Sequence, residues 1–136
     1  MKRKDIQIIL VDDNIHFRTY LKDYIEIELG YTVVAEASNG IELLSLPGNI
    51  NPTVILMDLV MDEMDGYETT KQILWRNRYL KVIAVTFHLE DVYLVRLLET
   101  GFKGCIFKPD LYNQLPEAID AVVKGRWYFP ENIVLE

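Results

Sequence analysis

The chain has one cysteine, Cys105, which rules out an internal disulfide and leaves no second thiol for a metal cluster or a redox pair. Basic residues are scarce: 14 Lys and Arg stand against 21 Asp and Glu, a net charge of −7. Binding to a nucleic-acid backbone relies on clustered Lys and Arg, so any contact with DNA would need another domain. Long apolar runs are missing as well. Nothing approaches the roughly 18 to 20 residues that span a bilayer, and the opening Met1-Lys2-Arg3-Lys4-Asp5 passes straight into a strand pattern instead of a secretory leader. These absences point to a cytoplasmic protein with no membrane contact. There is also no glycine-rich phosphate loop and no low-complexity tract.

What remains is 136 residues, half of them hydrophobic, enough for one domain with an ordinary core. Short apolar runs alternate with helical patterns five times. The runs are 6–11, 32–35, 53–57, 81–85 and 104–107, rich in β-branched and aliphatic residues and almost without polar alternation. Such strands are buried on both faces, as in a parallel sheet covered by helices. Helical patterns occupy about 15–29, 41–46, 67–76, 91–100 and 112–124. The last carries Leu115, Ala118, Ile119, Val122 and Val123 on one stripe. Gly30, Gly101 and Gly125 stand where helices end. The pattern predicts a (βα)5 fold, a doubly wound α/β parallel sheet.

In an open α/β sheet the ligand site lies outside the carboxyl ends of the strands. Asp12 and Asp13 follow the first run, Asp58 the third, Thr86 the fourth and Lys108 the fifth. One rim thus gathers three carboxylates, a hydroxyl and an ammonium. Two like charges about 4 Å apart repel by about 4 kcal/mol at an effective dielectric of 20, so the carboxylates need a compensating cation. Mg2+ suits them, because it favours oxygen ligands and commonly pairs carboxylates with a phosphate. Asp58 then reads as a nucleophile able to carry a phosphoryl group, with Thr86 and Lys108 placed to contact its oxygens. Taken alone, Asp12 and Asp13 would equally suit an acidic helix cap, Thr86 a strand-end hydroxyl and Lys108 a solvated charge. His16 and His88 have no Cys or second His at ligand spacing.

The motifs Val11-Asp12-Asp13-Asn14, the run Leu56-Met57-Asp58-Leu59-Val60-Met61-Asp62-Glu63-Met64-Asp65-Gly66, Val85-Thr86 and Phe107-Lys108-Pro109 together resemble the receiver domain of two-component response regulators over residues 6 to about 124. The resemblance implies a three-layer α/β/α fold of the flavodoxin and CheY type. It implies that Asp58 takes a phosphoryl group from a sensor histidine kinase and that the only chemistry catalysed is this transfer and hydrolysis of the aspartyl phosphate. Asp13 and Asp58 would bind Mg2+ directly, Asp12 through water, and the backbone carbonyl of Val60 would be the remaining protein ligand. Thr86 and Lys108 would sense the phosphate, and the Lys108–Pro109 bond would be cis.

Some positions depart from the family pattern. Asp62 stands where that loop usually has Pro, and with Glu63 and Asp65 it makes the rim more acidic. Phe87 replaces a small residue and narrows the path to Asp58. Cys105 occupies the place of an aromatic residue that follows the Thr in switching.

Residues 118–133 resemble the junction in NarL/FixJ-type (LuxR-type) regulators, where a receiver leads into a helix-turn-helix domain. The expected organisation is therefore a receiver over 1–125 and, over 126–136, a tail or the start of a linker to an absent output domain acting in transcription regulation. A stand-alone receiver that acts on a protein partner, and a pseudo-receiver that binds without chemistry, are the alternatives. From 89 to 98 seven of ten residues are apolar, more than one buried stripe needs, which marks the fourth helix as an output or homodimer face.

Overall fold

The computed structural model describes residues 2–136. Five parallel strands, β1 Gln7–Val11, β2 Thr32–Ala37, β3 Val54–Asp58, β4 Val82–Thr86 and β5 Gly104–Phe107, form one sheet in the order β2-β1-β3-β4-β5. The helices are α1 Ile15–Asp23, α2 Gly40–Leu44, α3 Gly66–Arg76, α4 Leu94–Thr100 and α5 Leu111–Val123. Each predicted run became a strand within two residues of its expected ends. The three inner strands bury nearly every residue, as continuous apolar runs should. At the edge, β2 is half-buried, and its Glu36 pairs with Arg18 of α1 at 3.3 Å.

Two apolar layers sandwich the sheet. One joins Ile8, Leu10, Leu56, Ile83 and Ile106 to Leu21 and Ile25 of the first helical segment and to Leu115, Ile119 and Val122 of α5. The other joins Ile9, Ile55, Met57 and Ala84 to Leu43, Leu97 and Phe102. Strand residues alternate between the layers, so the strand period of two divides one apolar run into both cores.

Helix starts follow local chemistry. Asn14 Oδ1 accepts the Phe17 N–H, Asn39 Oδ1 that of Glu42 and Asp65 Oδ1 that of Glu68. α1 does not stop at Asp23 but widens into one π-helical turn, Tyr24–Glu28, which accounts for the predicted length to Leu29. In α5 the interior Pro116 has no N–H to give the Tyr112 carbonyl four residues back, and the Tyr24 hydroxyl donates to that carbonyl instead. The lost backbone bond thus becomes a tie between the first and last helical segments.

The fourth helix is shorter than its apolar run suggests. Leu89–Asp91 form a 3-10 turn, Val92 and Tyr93 are extended, and α4 begins at Leu94. Part of the surplus apolar surface is covered by the C-terminal segment. Tyr128 pairs with β5, donating its N–H to Lys103 O at 3.0 Å and accepting that of Cys105 at 2.9 Å. Farther on, the carbonyls of Val134 and Leu135 accept the N–H groups of Leu94 and Val95 at 2.7 and 3.0 Å. Tyr93 supplies no side-chain cap to α4, so these carbonyls take that place. Ile133 drops into the same core layer as Val92 and Leu97, and Phe129 packs against that layer. Replacing Ile133 by Ala should cost about 2 kcal/mol in urea unfolding, as for a buried aliphatic truncation. Val134→Ala, with an exposed side chain and the same backbone bond, should change stability by less than about 0.5 kcal/mol. Equal effects of the two would mean that the tail is not packed in solution.

Candidate functional site

All the strands point their carboxyl ends at one rim, and the sequence-predicted residues meet there. Asp12 leaves β1 with its N–H bonded to the Ala37 carbonyl of the neighbouring strand at 3.1 Å. Its Oδ1 accepts the Asn14 N–H at 2.8 Å and its Oδ2 accepts Lys108 Nζ at 2.6 Å. Both side chains of that ion pair are only 6% exposed. Asp13, one residue on, is exposed. Asp58 closes β3, and its buried carboxylate accepts the Val60 N–H at 3.2 Å. One oxygen from each of Asp12, Asp13 and Asp58 lies within 4.8 Å of the others.

Gly66 makes this floor possible. A Cβ there would stand 2.3 Å from the Asp58 carbonyl oxygen and 2.9 Å from Leu59 Cα, so only glycine lets α3 start against the end of β3. Between them, Glu63 adopts a left-handed φ of 69°, and Gly66 N–H closes the loop on Leu59 O at 3.1 Å. Asp62, Glu63 and Asp65 all face solvent around it.

Burial and the neighbouring Asp12 charge raise the Asp58 carboxyl from 3.8 to about 6, with Asp13 adding to the rise; Lys108 and the Val60 N–H pull the other way. One ammonium faces three carboxylates, so two negative charges are left when all three ionise. A divalent cation matches that remainder in charge, and hard oxygen donors at this spacing suit Mg2+. The three carboxylates are therefore a set that could hold it. His88, Glu90 and Asp91 also come together, but all three are exposed and His88 Nδ1 lies 3.6 Å from Glu90 Oε1.

Thr86 is buried at the end of β4, where its Oγ1 accepts the His88 N–H at 3.1 Å. It lines a cavity of about 260 Å3 with Leu59, Met61, Tyr67 and Val92. The Lys108–Pro109 bond is not cis, as no peptide bond is among the described residues. Lys108 points inward regardless, held by the Asp12 carboxylate from a 3-10 turn over Lys108–Asp110. Cys105 is fully buried and its thiol is pushed up to about 12 by desolvation, which suits a packing role.

Several contributors were not singled out from the sequence. Arg18 donates to the Asp12 carbonyl. The Phe17 ring centroid lies 4.0 Å from Lys108 Nζ. Tyr67 stacks edge-on against Phe102 at 5.8 Å and carries the Arg96 guanidinium 3.7 Å above its ring. Only their place in amphipathic helix patterns signalled them, and that pattern does not distinguish a core contact from a site contact.

Comparison with known proteins decides the family. The response regulator receiver domain model matches residues 8–120. The chain belongs to that family. It is 36% identical over 120 residues to the transcriptional regulatory protein LiaR of Bacillus subtilis, covering 88% of this chain and 57% of LiaR. It is 33% identical over 123 residues to DegU of Brevibacillus brevis, covering 90% and 52%. The chain therefore spans little more than half the length of these relatives. A LuxR-family two-component response regulator from Aurantimonas sp. SI85-9A1 superposes with a TM-score of 0.84 at 29% identity, over 93% of this chain and 91% of that one. The receiver fold expected from the sequence is thus the fold observed, and no helix among the described residues is long and apolar enough to cross a membrane.

The raised Asp58 carboxyl makes this receiver's stability depend on pH. A carboxyl held above its unfolded value stabilises fully below pH 3.8, and that contribution is lost as pH rises through about 6. Without metal, the difference in unfolding free energy between wild type and Asp58→Asn should shift by on the order of 2 kcal/mol between pH 4 and 7.5, against the wild type at the higher pH. Mg2+ at pH 7.5 should restore stability, by about 2.7 kcal/mol at 100 times its dissociation constant. A pH-independent difference, or indifference to Mg2+, would contradict this reading of the rim.

Proposed function

We propose that Asp58 accepts a phosphoryl group from a sensor histidine kinase, with Mg2+ held by Asp13, Asp58 and the Val60 backbone carbonyl and, through water, by Asp12. The observation that carries this is the convergence of the three carboxylates with one buried ammonium at the rim of a receiver fold. Bound Mg2+ would neutralise charge on the transferring phosphoryl group. The residues supply position and charge. An Asp58 carboxylate oxygen attacks phosphorus as the bond to the donor imidazole breaks, and the imidazole leaves. The Val60 N–H, now on Oδ1, steadies the carboxylate for that attack. Thr86 Oγ1 already accepts the His88 N–H, so its own proton is left to donate to a phosphoryl oxygen. Lys108 is close enough to the acidic cluster to share its ammonium with the new oxygens.

On this reading the chain is a signalling domain that catalyses only its own phosphorylation and the hydrolysis of the aspartyl phosphate. The named relatives are transcriptional regulators, which supports a role in transcription regulation, with DNA reached only through a separate helix-turn-helix domain. A phosphorylation-dependent homodimer is the simplest way for such a domain to change its output, and the partly exposed Tyr93 and Val95 at the start of α4 offer it apolar surface.

Incubation with Mg2+ and a small phosphodonor should give an acid-stable, hydroxylamine-labile mass gain on the peptide containing Asp58. Asp58→Asn should abolish it, and Lys108→Ala should leave loading possible but slow it by roughly 10-fold or more, the cost of losing a charged contact. Modification at another residue, or none in the presence of Mg2+, would remove the proposal.

A further inference from the structure

The buried ammonium of Lys108 has an unusual set of neighbours. Asp12 Oδ2 is its only hydrogen-bond acceptor among the described residues, at 2.6 Å. Beyond that bond, its nearest aromatic groups are two rings, with the Phe17 centroid at 4.0 Å and the Phe87 centroid at 4.8 Å from Nζ. Phe17 lies in the first turn of α1, five residues past Asp12, and Phe87 directly follows Thr86. The two rings thus reach one ammonium from two different segments of the rim. Phe87 remains 57% exposed, so core packing does not explain where it sits. An aromatic face attracts a cation through its quadrupole, and the attraction is greatest where water is excluded. Here the cation is excluded from water and the outer ring is not.

We propose that Phe17 and Phe87 are positioning residues that clamp Lys108 on Asp12, so that the clamp sets how readily a divalent cation gains the Asp12 side of the rim. The inference rests on the reading of the rim as a metal site. Asp12 has two carboxylate oxygens, and Asn14 N–H and Lys108 Nζ hold one each. A cation approaching Asp12, directly or through its water, competes with the ammonium for the same charge. Each ring that favours the docked ammonium therefore disfavours the metal-loaded arrangement. The same clamp slows the turn of Lys108 toward a phosphoryl group on Asp58, and so acts on the lysine without touching the reacting atoms. This differs from steric occlusion by Phe87, because it depends on the ring's charge distribution and not on its bulk.

Leucine and tyrosine at position 87 separate the two. Phe87→Leu keeps apolar cover without a quadrupole, and Phe87→Tyr keeps the ring. Titration with Mg2+ alone, followed by calorimetry on the full chain, should show Phe87→Leu binding roughly 2- to 5-fold more tightly than wild type, the factor for a partly exposed cation–π contact. Phe87→Tyr should match wild type. In NMR spectra the Lys108 ammonium should show a ring-current shift in wild type and Phe87→Tyr that is reduced in Phe87→Leu. Leu and Tyr variants with the same Mg2+ affinity would overturn the clamp. If wild type itself binds no Mg2+, or if Asp13→Asn leaves binding intact, the metal reading fails instead, and the ammonium shift still reports whether the rings hold Lys108.

Discussion

The constraint on which the structure turns is the crowding of three carboxylates at the end of one sheet. Parallel strands deliver the residues at their carboxyl ends to the same side, so the aspartates that follow β1 and end β3 must meet there. It is tolerated through unequal treatment of the three. Asp12 is buried but neutralised by Lys108, Asp13 stays in solvent, and Asp58 is buried with, among the described residues, only a backbone N–H on its carboxylate, so its proton is held up to about 6. The repulsion left over lies on the side chain proposed to be phosphorylated. A fully neutralised rim would be more stable without metal and would have less to gain from one.

That arrangement also explains why structural devices gather around β3. Gly66 is forced by the Asp58 carbonyl, Glu63 accepts a left-handed backbone, and Asp65 caps α3. Each shortens or stiffens the path between Asp58 and the next helix. A carboxylate that swung into water from this end of β3 would lose the desolvation that raises its proton affinity.

The sequence revealed the sheet because buried parallel strands leave a strong signal: short β-branched runs separated by capped helices. The rim was legible for a related reason. Residues immediately after a strand inherit its direction, so Asp12, Asp58, Thr86 and Lys108 could be placed from strand ends alone. What stayed hidden depends on side-chain reach across elements. Phe17 and Tyr67 sit at ordinary amphipathic positions, and nothing in their spacing says that one meets an ammonium and the other a guanidinium. The apolar run from 89 to 98 read as one helix because periodicity cannot report that a segment more than thirty residues downstream supplies the helix's first hydrogen-bond acceptors. The π-helical turn after α1 was hidden for a similar reason, since one extra residue per turn barely disturbs an apolar stripe.

That downstream segment makes α4 and the chain's last residues a single cooperative unit. The carbonyls of Val134 and Leu135 are bound to the N–H groups that open α4, while Ile133 shares a core layer with Leu97. Any force or partner that draws the tail away removes two acceptors, leaving two N–H groups of α4 unpaired, and exposes an isoleucine at once, so partial detachment gains little and the strap should leave as a whole. Free-energy coupling is reciprocal. A displacement of the start of α4 must therefore alter the grip on residues 133–135 by the same free energy with which those residues hold α4 in place. Through this backbone strap the start of α4 and the tail share one equilibrium.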